Sequence, residues 1–385
     1  MTGRRIVHAI TRLITGGAEE NTILTCNHQA RSGNPTYLII GRSYDEATLA
    51  TVDPAVNVIV VPSLVRNISP FNDFAALIRL VSLFRRLKPD VVHTHTSKAG
   101  IVGRIAALFV RGCAVVHTVH ILPFLNVGRV ELLVYLFVER LTARWTKLFI
   151  HVSEGMHRSC LEHGVGTKSN HVVIESGMDV ARFRSVERPA SWQAVIHGGV
   201  TIDDDEPLFI LISGALERRK RAKEFLPVFK AVKEAVPEAH LLIAGDGPLG
   251  EEIDQTITEL GLEASCHRLG FIDNLPEVIA LTDVCVHAAH REGLPRVVVQ
   301  YVMIGRPVVA AHLPGLERVV REGETGFMVP TESLDSMTDP LITLLRDPDL
   351  RKRLGDAGRA QDFSPWDAER MVVAIDGAYD RYLGP

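Results

Sequence analysis

The sequence predicts an α/β protein built as two Rossmann-like, doubly wound parallel-sheet domains facing a central cleft. Three observations carry this expectation. Short apolar runs alternate with amphipathic stretches, the pattern breaks near residue 190 and then restarts, and 385 residues suffice for two or three separate cores.

In the first half, Ile6–Ile10, Tyr37–Ile40, Val56–Val61, Val91–His95, Val115–Val119, Leu148–Val152 and Val172–Ile174 read as strands. Helical spacing lies between them, as in Phe74, Leu77, Ile78, Val81, Phe84 and Leu87. The second half repeats the scheme with Leu208–Ile212, His240–Ala244, Cys266–Leu269, Val284–His287, Pro307–Ala310 and Gly326–Val329. Residues 185–207 are polar and strand-poor, with Pro189, Gly198-Gly199 and Asp203-Asp204-Asp205-Glu206 ahead of Pro207. The expected domains are therefore 1–190 and 191–363. Ser364 to Leu383 reads as one amphipathic helix opened by Ser364-Pro365-Trp366, with either domain to pack on, a return to the first among the options.

Apolar residues at 46% and charged residues at 23% are ordinary globular usage and argue against disorder. The cysteines at 26, 113, 160, 266 and 285 are odd in number, scattered and free of any C-x-x-C pair, which speaks against a disulfide framework or a zinc knuckle and suits a reducing cytosol. Met1-Thr2-Gly3-Arg4-Arg5 runs straight into Ile6–Ile10, too short for a signal-peptide core, and the richest apolar run, Leu132 to Val138, is closed by Glu131 and Glu139-Arg140. A cytoplasmic placement follows as the expectation. Residues 1–190 hold 22 Lys and Arg against 14 Asp and Glu, residues 191–385 hold 20 against 32, so net charges of +8 and −12 sit on the two halves. The basic half suits an anionic acceptor or peripheral contact with an inner membrane face, through Arg79, Arg85, Arg86 and Lys88 beside Phe84 and Leu87. Solvated helix faces explain the same charges equally well, and no nucleic-acid partner is expected.

Helix N-termini after parallel strands bind phosphate, so the glycine-bearing loops are the places to search. Thr15-Gly16-Gly17-Ala18-Glu19-Glu20 follows the first strand and lets backbone approach a ligand, although a tight turn accounts for it too. It is not a G-x-G-x-x-G fingerprint, and no P-loop occurs, which weighs against dinucleotide and P-loop chemistry. His93 and His95 share a face of one strand, with His117 and His120 on and after the next, but this spacing without a carboxylate does not indicate a metal. His120, at a strand end, is the best placed of them to hydrogen-bond a sugar hydroxyl or phosphate. In the second half, Ser213-Gly214-Ala215-Leu216-Glu217-Arg218-Arg219-Lys220-Arg221 packs four cations into a loop after a strand, suited to a diphosphate or simply solvated. His290 to Ala310 carries Glu292 and Gly293 in an approach loop, Pro295 in the first helical turn, Gln300 further along that helix and Gly305 at its end.

The Glu292-Gly293-Leu294-Pro295 segment, its helix and Gly305-Arg306-Pro307-Val308-Val309-Ala310 resemble the E-x₇-E donor motif of the retaining family-four glycosyltransferases, which have the GT-B fold. Collinear matches are Gly16-Gly17, His120, Ser153, Gly177, Asp179, Lys220, Gly245-Asp246-Gly247-Pro248, Gly315, Glu317 and Thr325-Gly326. The resemblance implies a catalytic set of Glu292 on the donor sugar, Lys220 on the diphosphate and His120. It further implies donor contacts from Gly16, Gly17, Gly214, Arg219, Arg221, Gly245, Gly247, the segment Gly293, Leu294, Pro295, Arg296 and Val297, and Gln300. Three departures stand out. Gln300 occupies the place of the second glutamate, which holds the ribose; Ala215 replaces an arginine, leaving Arg218, Arg219 or Arg221 to substitute; and Ser176 replaces an asparagine.

The expected activity is transfer of a sugar from a nucleotide diphosphate sugar, UDP-linked by preference, to a hydroxyl of a lipid-linked saccharide, another glycan or a metabolite, with retention and without a metal or other cofactor. A nucleotide-sugar epimerase or phosphorylase on the same architecture, and a catalytically silent sugar-nucleotide binding protein, are the alternatives.

Overall fold

In the computed structural model the described residues are 3–124, 127–196, 200–293 and 295–384, so Met1, Thr2, Gly198, Gly199 and Leu294 of the sequence reading lie outside them. Seven strands, β1 (Ile6–Leu13), β2 (Thr36–Tyr44), β3 (Asn57–Val60), β4 (Val91–His95), β5 (Ala114–Val119), β6 (Leu148–His151) and β7 (His171–Val173), form one sheet in the order β3-β2-β1-β4-β5-β6-β7. Six more, β8 (Leu208–Ser213), β9 (Ala239–Ala244), β10 (Cys266–Gly270), β11 (Val284–His287), β12 (Val308–Ala311) and β13 (Gly326–Val329), form a second in the order β10-β9-β8-β11-β12-β13. Pairing is parallel throughout, for example Ile6 with Val91 and Val284 with Ile210. All thirteen predicted strands are present, because strands buried on both faces announce themselves as continuous apolar runs, and the half-exposed edge strand β3 by its β-branched Val58-Ile59-Val60. Strand order reverses between β1 and β4 in one sheet and between β8 and β11 in the other, and a doubly wound sheet binds its ligand at that crevice.

The chain divides into one unit of residues 1–178 and 364–385 and a second of 179–363. The boundary thus falls earlier than residue 190. The reason is local: Asp179 caps the short helix Val180–Arg184, Arg188 pairs with Asp283 at 3.2 Å, and Arg359 donates to the Val186 carbonyl, all within the second unit. The last segment also differs from the single helix expected. Ser364–Trp366 is a 3-10 turn, and the helix Ala368–Leu383 starts after Asp367, whose carboxylate accepts the Arg370 N–H. Its Met371, Val372, Ile375 and Tyr379 complete the first unit's core against Ile6, Val116 and Ile150. The second core gathers Phe225, Phe229, Leu241, Val286 and Leu341 around β8 and β11. All five cysteines are free thiols, Cys26, Cys160, Cys266 and Cys285 being buried.

Candidate active site

At the reversal of the second sheet, the loop after β8 and the loop after β11 are neighbours. The first runs from Gly214 through a 3-10 turn at Arg218–Lys220, and the backbone N–H of His290 in the second donates to the Arg219 carbonyl at 3.1 Å. This tie brings Glu292 against two cations. Lys220 Nζ lies 2.5 Å from its Oε1, and Arg219 Nη1 donates to the same oxygen. Arg219 Nε also reaches Glu217 at 3.0 Å. Burial alone would push the Glu292 carboxyl up, but the Lys220 ammonium and Arg219 guanidinium override it and hold the group at about 2. His287, fully buried under the same loop, is pushed down to about 3 by burial and then by Lys220. The corner thus holds two cations against Glu292, with Glu217 as a second carboxylate on Arg219.

The loop after β9 supports the corner from below. Gly214 N–H donates to the Ala244 carbonyl at 2.9 Å, and Leu216 N–H to Asp246 at 2.9 Å, so the two loops run in backbone contact. Gly245, at φ 134°, permits this: a Cβ there would collide with the Gly214 carbonyl oxygen. Ser213, ending β8, is locked by the buried Tyr301 hydroxyl, which accepts the Ser213 N–H at 3.1 Å and lies 2.9 Å from its Oγ. The sequence reading missed Tyr301 and Ser213, and only the tyrosine's place on the motif helix hinted at them.

The helix following Glu292 is Arg296–Ile304; Pro295 is its N-cap residue rather than part of its first turn, and left-handed Gly305 closes it. Gly293 and Pro295 are buried, Arg296, Val297 and Gln300 half-buried, and Leu294 is outside the described residues. Of the arginines that were candidates to replace the one missing at Ala215, Arg219 is the one paired with Glu292. Arg221 does something else: its guanidinium donates to the Ala288 carbonyl at 2.6 Å and the Thr331 carbonyl at 2.7 Å, a strut between loops. Gly247 sits in the supporting loop, while Glu317 pairs with His312 at 3.0 Å and Thr325 donates to the Val319 carbonyl, both turn-forming contacts.

Gly16, Gly17 and His120 belong to the first unit. Gly16 is the N-cap of helix Gly17–Arg31, and Glu19 and Glu20 in its first turn offset that helix dipole. His120 follows β5 directly, with Nε2 3.1 Å from His95 Nδ1. His93 and His95 are joined by His8 on β1, which pairs in register with His93. One nitrogen from each of these three buried rings falls within 4.8 Å of the others, a spacing a metal ion could use. All six ring nitrogens nevertheless have protein partners: Gln29 and His95 for His8, Tyr379 and Thr118 for His93, His8 and His120 for His95.

Glycosyl transfer is the chemistry that comparison with known proteins supplies. The family model for Glycosyltransferase Family 4 matches residues 15–182 and that for glycosyl transferases group 1 matches residues 199–361. The chain belongs to this glycosyltransferase family. It is 29% identical over 300 residues, 77% of this chain and 76% of the relative, to UDP-Gal:alpha-D-GlcNAc-diphosphoundecaprenol alpha-1,3-galactosyltransferase of Escherichia coli. It is 21% identical to the capsular polysaccharide biosynthesis glycosyltransferase CapM of Staphylococcus aureus, over 83% of each chain. Among solved structures, Anabaena Alr3699/HepE in complex with UDP and glucose superposes at a TM-score of 0.79 with 20% identity, covering 98% of this chain and 99% of that one. WaaG, a glycosyltransferase involved in lipopolysaccharide biosynthesis, gives 0.74 with 16% identity, covering 97% and 100%. The fold is GT-B, and the protein is a glycosyltransferase that takes a nucleotide-sugar donor and a sugar acceptor.

Proposed function

We propose that the enzyme transfers a hexose from a UDP-sugar to a hydroxyl of a lipid-linked saccharide, with retention at the anomeric carbon and without a metal ion. The observation that carries this is the Arg219–Glu292–Lys220 cluster. Two cations meet one carboxylate oxygen, and Arg219 also holds Glu217, so Lys220 and Arg219 stand as fixed donors at the corner for the diphosphate that leaves as the anomeric C–O bond breaks and the acceptor oxygen bonds to that carbon. The acceptor's proton departs with the leaving phosphate. Glu292, through its second oxygen, is the group placed for the sugar, Gln300 holds the ribose, and His120 meets a saccharide hydroxyl. Fixed cations can do for the diphosphate what a divalent metal does elsewhere, which supports metal independence.

The lipid-linked acceptor is favoured by a separate observation in the first unit. Helix Arg129–Ala143 exposes Val130, Leu133, Val134 and Phe137, one stripe at helical spacing, the last 67% exposed. Exposed Arg129, Arg140, Arg144 and Lys147 flank it in the sequence, with Glu131 the one exposed acid among them, and Phe71, Phe74 and Ile78 are exposed on helix Pro70–Leu87. Such faces suit peripheral seating on an anionic bilayer, since no helix among the described residues is long and apolar enough to cross one. Phe84, expected in that role, is instead fully buried, and Arg104 is buried against Glu139 at 2.7 Å. The test is a UDP-sugar panel with undecaprenyl-diphosphate saccharides in EDTA: UDP release coupled to product is expected, and donor turnover that needs phosphate, or inverted product, would overturn the reading.

A further inference from the structure

His120 ends a chain of hydrogen bonds whose direction is set on the last helix. The carboxylate of Asp376 receives the His28 Nε2–H at 3.2 Å and the Gln29 amide N–H at 3.1 Å. A carboxylate accepts, so Gln29 spends its amide hydrogens there and offers its oxygen at the other end, 2.8 Å from His8 Nε2. His8 therefore donates from Nε2 and accepts at Nδ1, where His95 Nε2 lies 3.0 Å away. His95 repeats the step, donating from Nε2 and accepting at Nδ1 from His120 Nε2.

This logic requires neutral rings with one N–H each. Burial supplies them: it pushes His8 down to about 4, and pushes His95 well below its ordinary range, with His93 adding to the effect. The branch on His93 keeps the stack in place, the Tyr379 hydroxyl donating to His93 Nδ1 at 2.7 Å and His93 Nε2 donating to Thr118 Oγ1 at 2.7 Å. His8 and His95 stack at 5.3 Å between centroids and 20° between planes, and His93 is tilted by 35° against His95 at 4.2 Å. The titratable and charged groups against the chain are His93, His117, Tyr379, His28 and Asp376, drawn from β4, β5 and the first and last helices.

We infer that Asp376, Gln29, His8 and His95 are positioning residues that hold His120 as its Nε2–H tautomer, making Nδ1 the hydrogen-bond acceptor that it presents to a saccharide hydroxyl. The inference rests on the reading of His120 as a sugar-contacting residue. It assigns a catalytic consequence to a glutamine three hydrogen bonds away from that ring.

The experiment uses the full chain with ¹⁵N-histidine labelling and two-bond ¹H–¹⁵N correlation, which reports the tautomer of each ring, and compares wild type with Gln29→Glu and Gln29→Lys. Glutamate at 29 only accepts and preserves the direction; lysine only donates, so His8 must accept at Nε2 and every ring downstream must reverse. Expected are Nε2–H signatures for His8, His95 and His120 in wild type and Gln29→Glu, Nδ1–H signatures in Gln29→Lys, and a fall in kcat/KM on the order of 10-fold or more in the lysine variant alone. An Nδ1–H His120 in wild type overturns the inference whether or not the variants fold, as does an unreversed His120 in folded Gln29→Lys. Reversal with unchanged kcat/KM would leave the relay standing and remove His120 from the chemistry, which separates the two readings.

Discussion

The Lys220 ammonium nitrogen lies 2.5 Å from Oε1 of Glu292, and this contact joins the loops that follow β8 and β11. Its pH dependence has a definite sign. Glu292 titrates at about 2 in the folded protein against an ordinary 4.5, so its contribution to stability is complete above 4.5 and disappears as the pH falls toward 2. Chemical denaturation across that window should show wild type losing stability on acidification more steeply than Glu292→Gln. Parallel slopes for the two proteins would mean that the pair does not hold the loops.

The two ends of the donor motif should fail in different ways. Glu292→Ala is expected to lower kcat on the order of 10²-fold, as removal of one preorganised transition-state contact does. Gln300→Ala should chiefly raise the donor KM, by about the 1 kcal/mol of a neutral hydrogen bond, and Gln300→Glu should be tolerated. Steady-state kinetics with varied donor decides it, and a Gln300→Ala enzyme with collapsed kcat and unchanged KM reverses the assignment.

Among the arginines, Arg219 and Arg221 should separate cleanly. Arg219→Ala removes a charge from the cationic corner and is expected to weaken UDP binding, read by calorimetry. Arg221→Ala removes two bonds to carbonyls, so its effect should appear first in the melting temperature. Equal loss of UDP affinity in both variants would show that Arg221 also serves the diphosphate.

Exposed Leu133 and Phe137 give the bilayer reading its own test. Wild type should co-sediment with anionic vesicles, less so at high salt because each cation near the surface adds only about 1 kcal/mol and is screened. Leu133→Glu with Phe137→Glu should abolish sedimentation while leaving turnover of a soluble acceptor analogue intact. Equal partition of wild type to neutral and anionic vesicles contradicts the electrostatic part.

Gly177 is a packing position. A Cβ on it would lie 2.8 Å from the Ala368 Cα, and its N–H meets Met371 Sδ at 3.0 Å. Gly177→Ala should therefore destabilise the first unit by about 1–3 kcal/mol, the usual cost of overpacking. Urea unfolding followed by tryptophan fluorescence measures this, and an unchanged midpoint refutes the assignment.

The strands could be read from the sequence because β4, β5, β8 and β11 are covered on both faces and each opens on an apolar run, although β4 and β5 end in the buried histidines and threonines of the array. Helix faces were less legible. Phe74, Ile78 and Phe84 share one periodic pattern, yet Phe84 is buried and the other two are exposed, a choice made by the neighbouring helix Ser97–Ala107 and not by spacing. Glu292 and Lys220 stood out as motif residues, but their partnership spans loops from different strands, and a one-dimensional pattern does not register Arg219 meeting a residue 73 positions on. The histidine relay was hidden for the same reason: Gln29 and Asp376 are 347 residues apart.

The last helix also dictates an order of events during synthesis. Met178 donates to the Trp366 carbonyl at 2.7 Å and bridges Asp367, so the strand that leaves the first unit is stitched to the one that returns. Residues 179–363 form a compact insert that is synthesised before Met371, Ile375 and Tyr379. The first unit, though begun earlier, stays unsealed until then, with His93 lacking Tyr379 and Gln29 lacking Asp376. Translation therefore completes residues 179–363 first, and the histidine array gains its anchor only when the last two turns of helix Ala368–Leu383 dock.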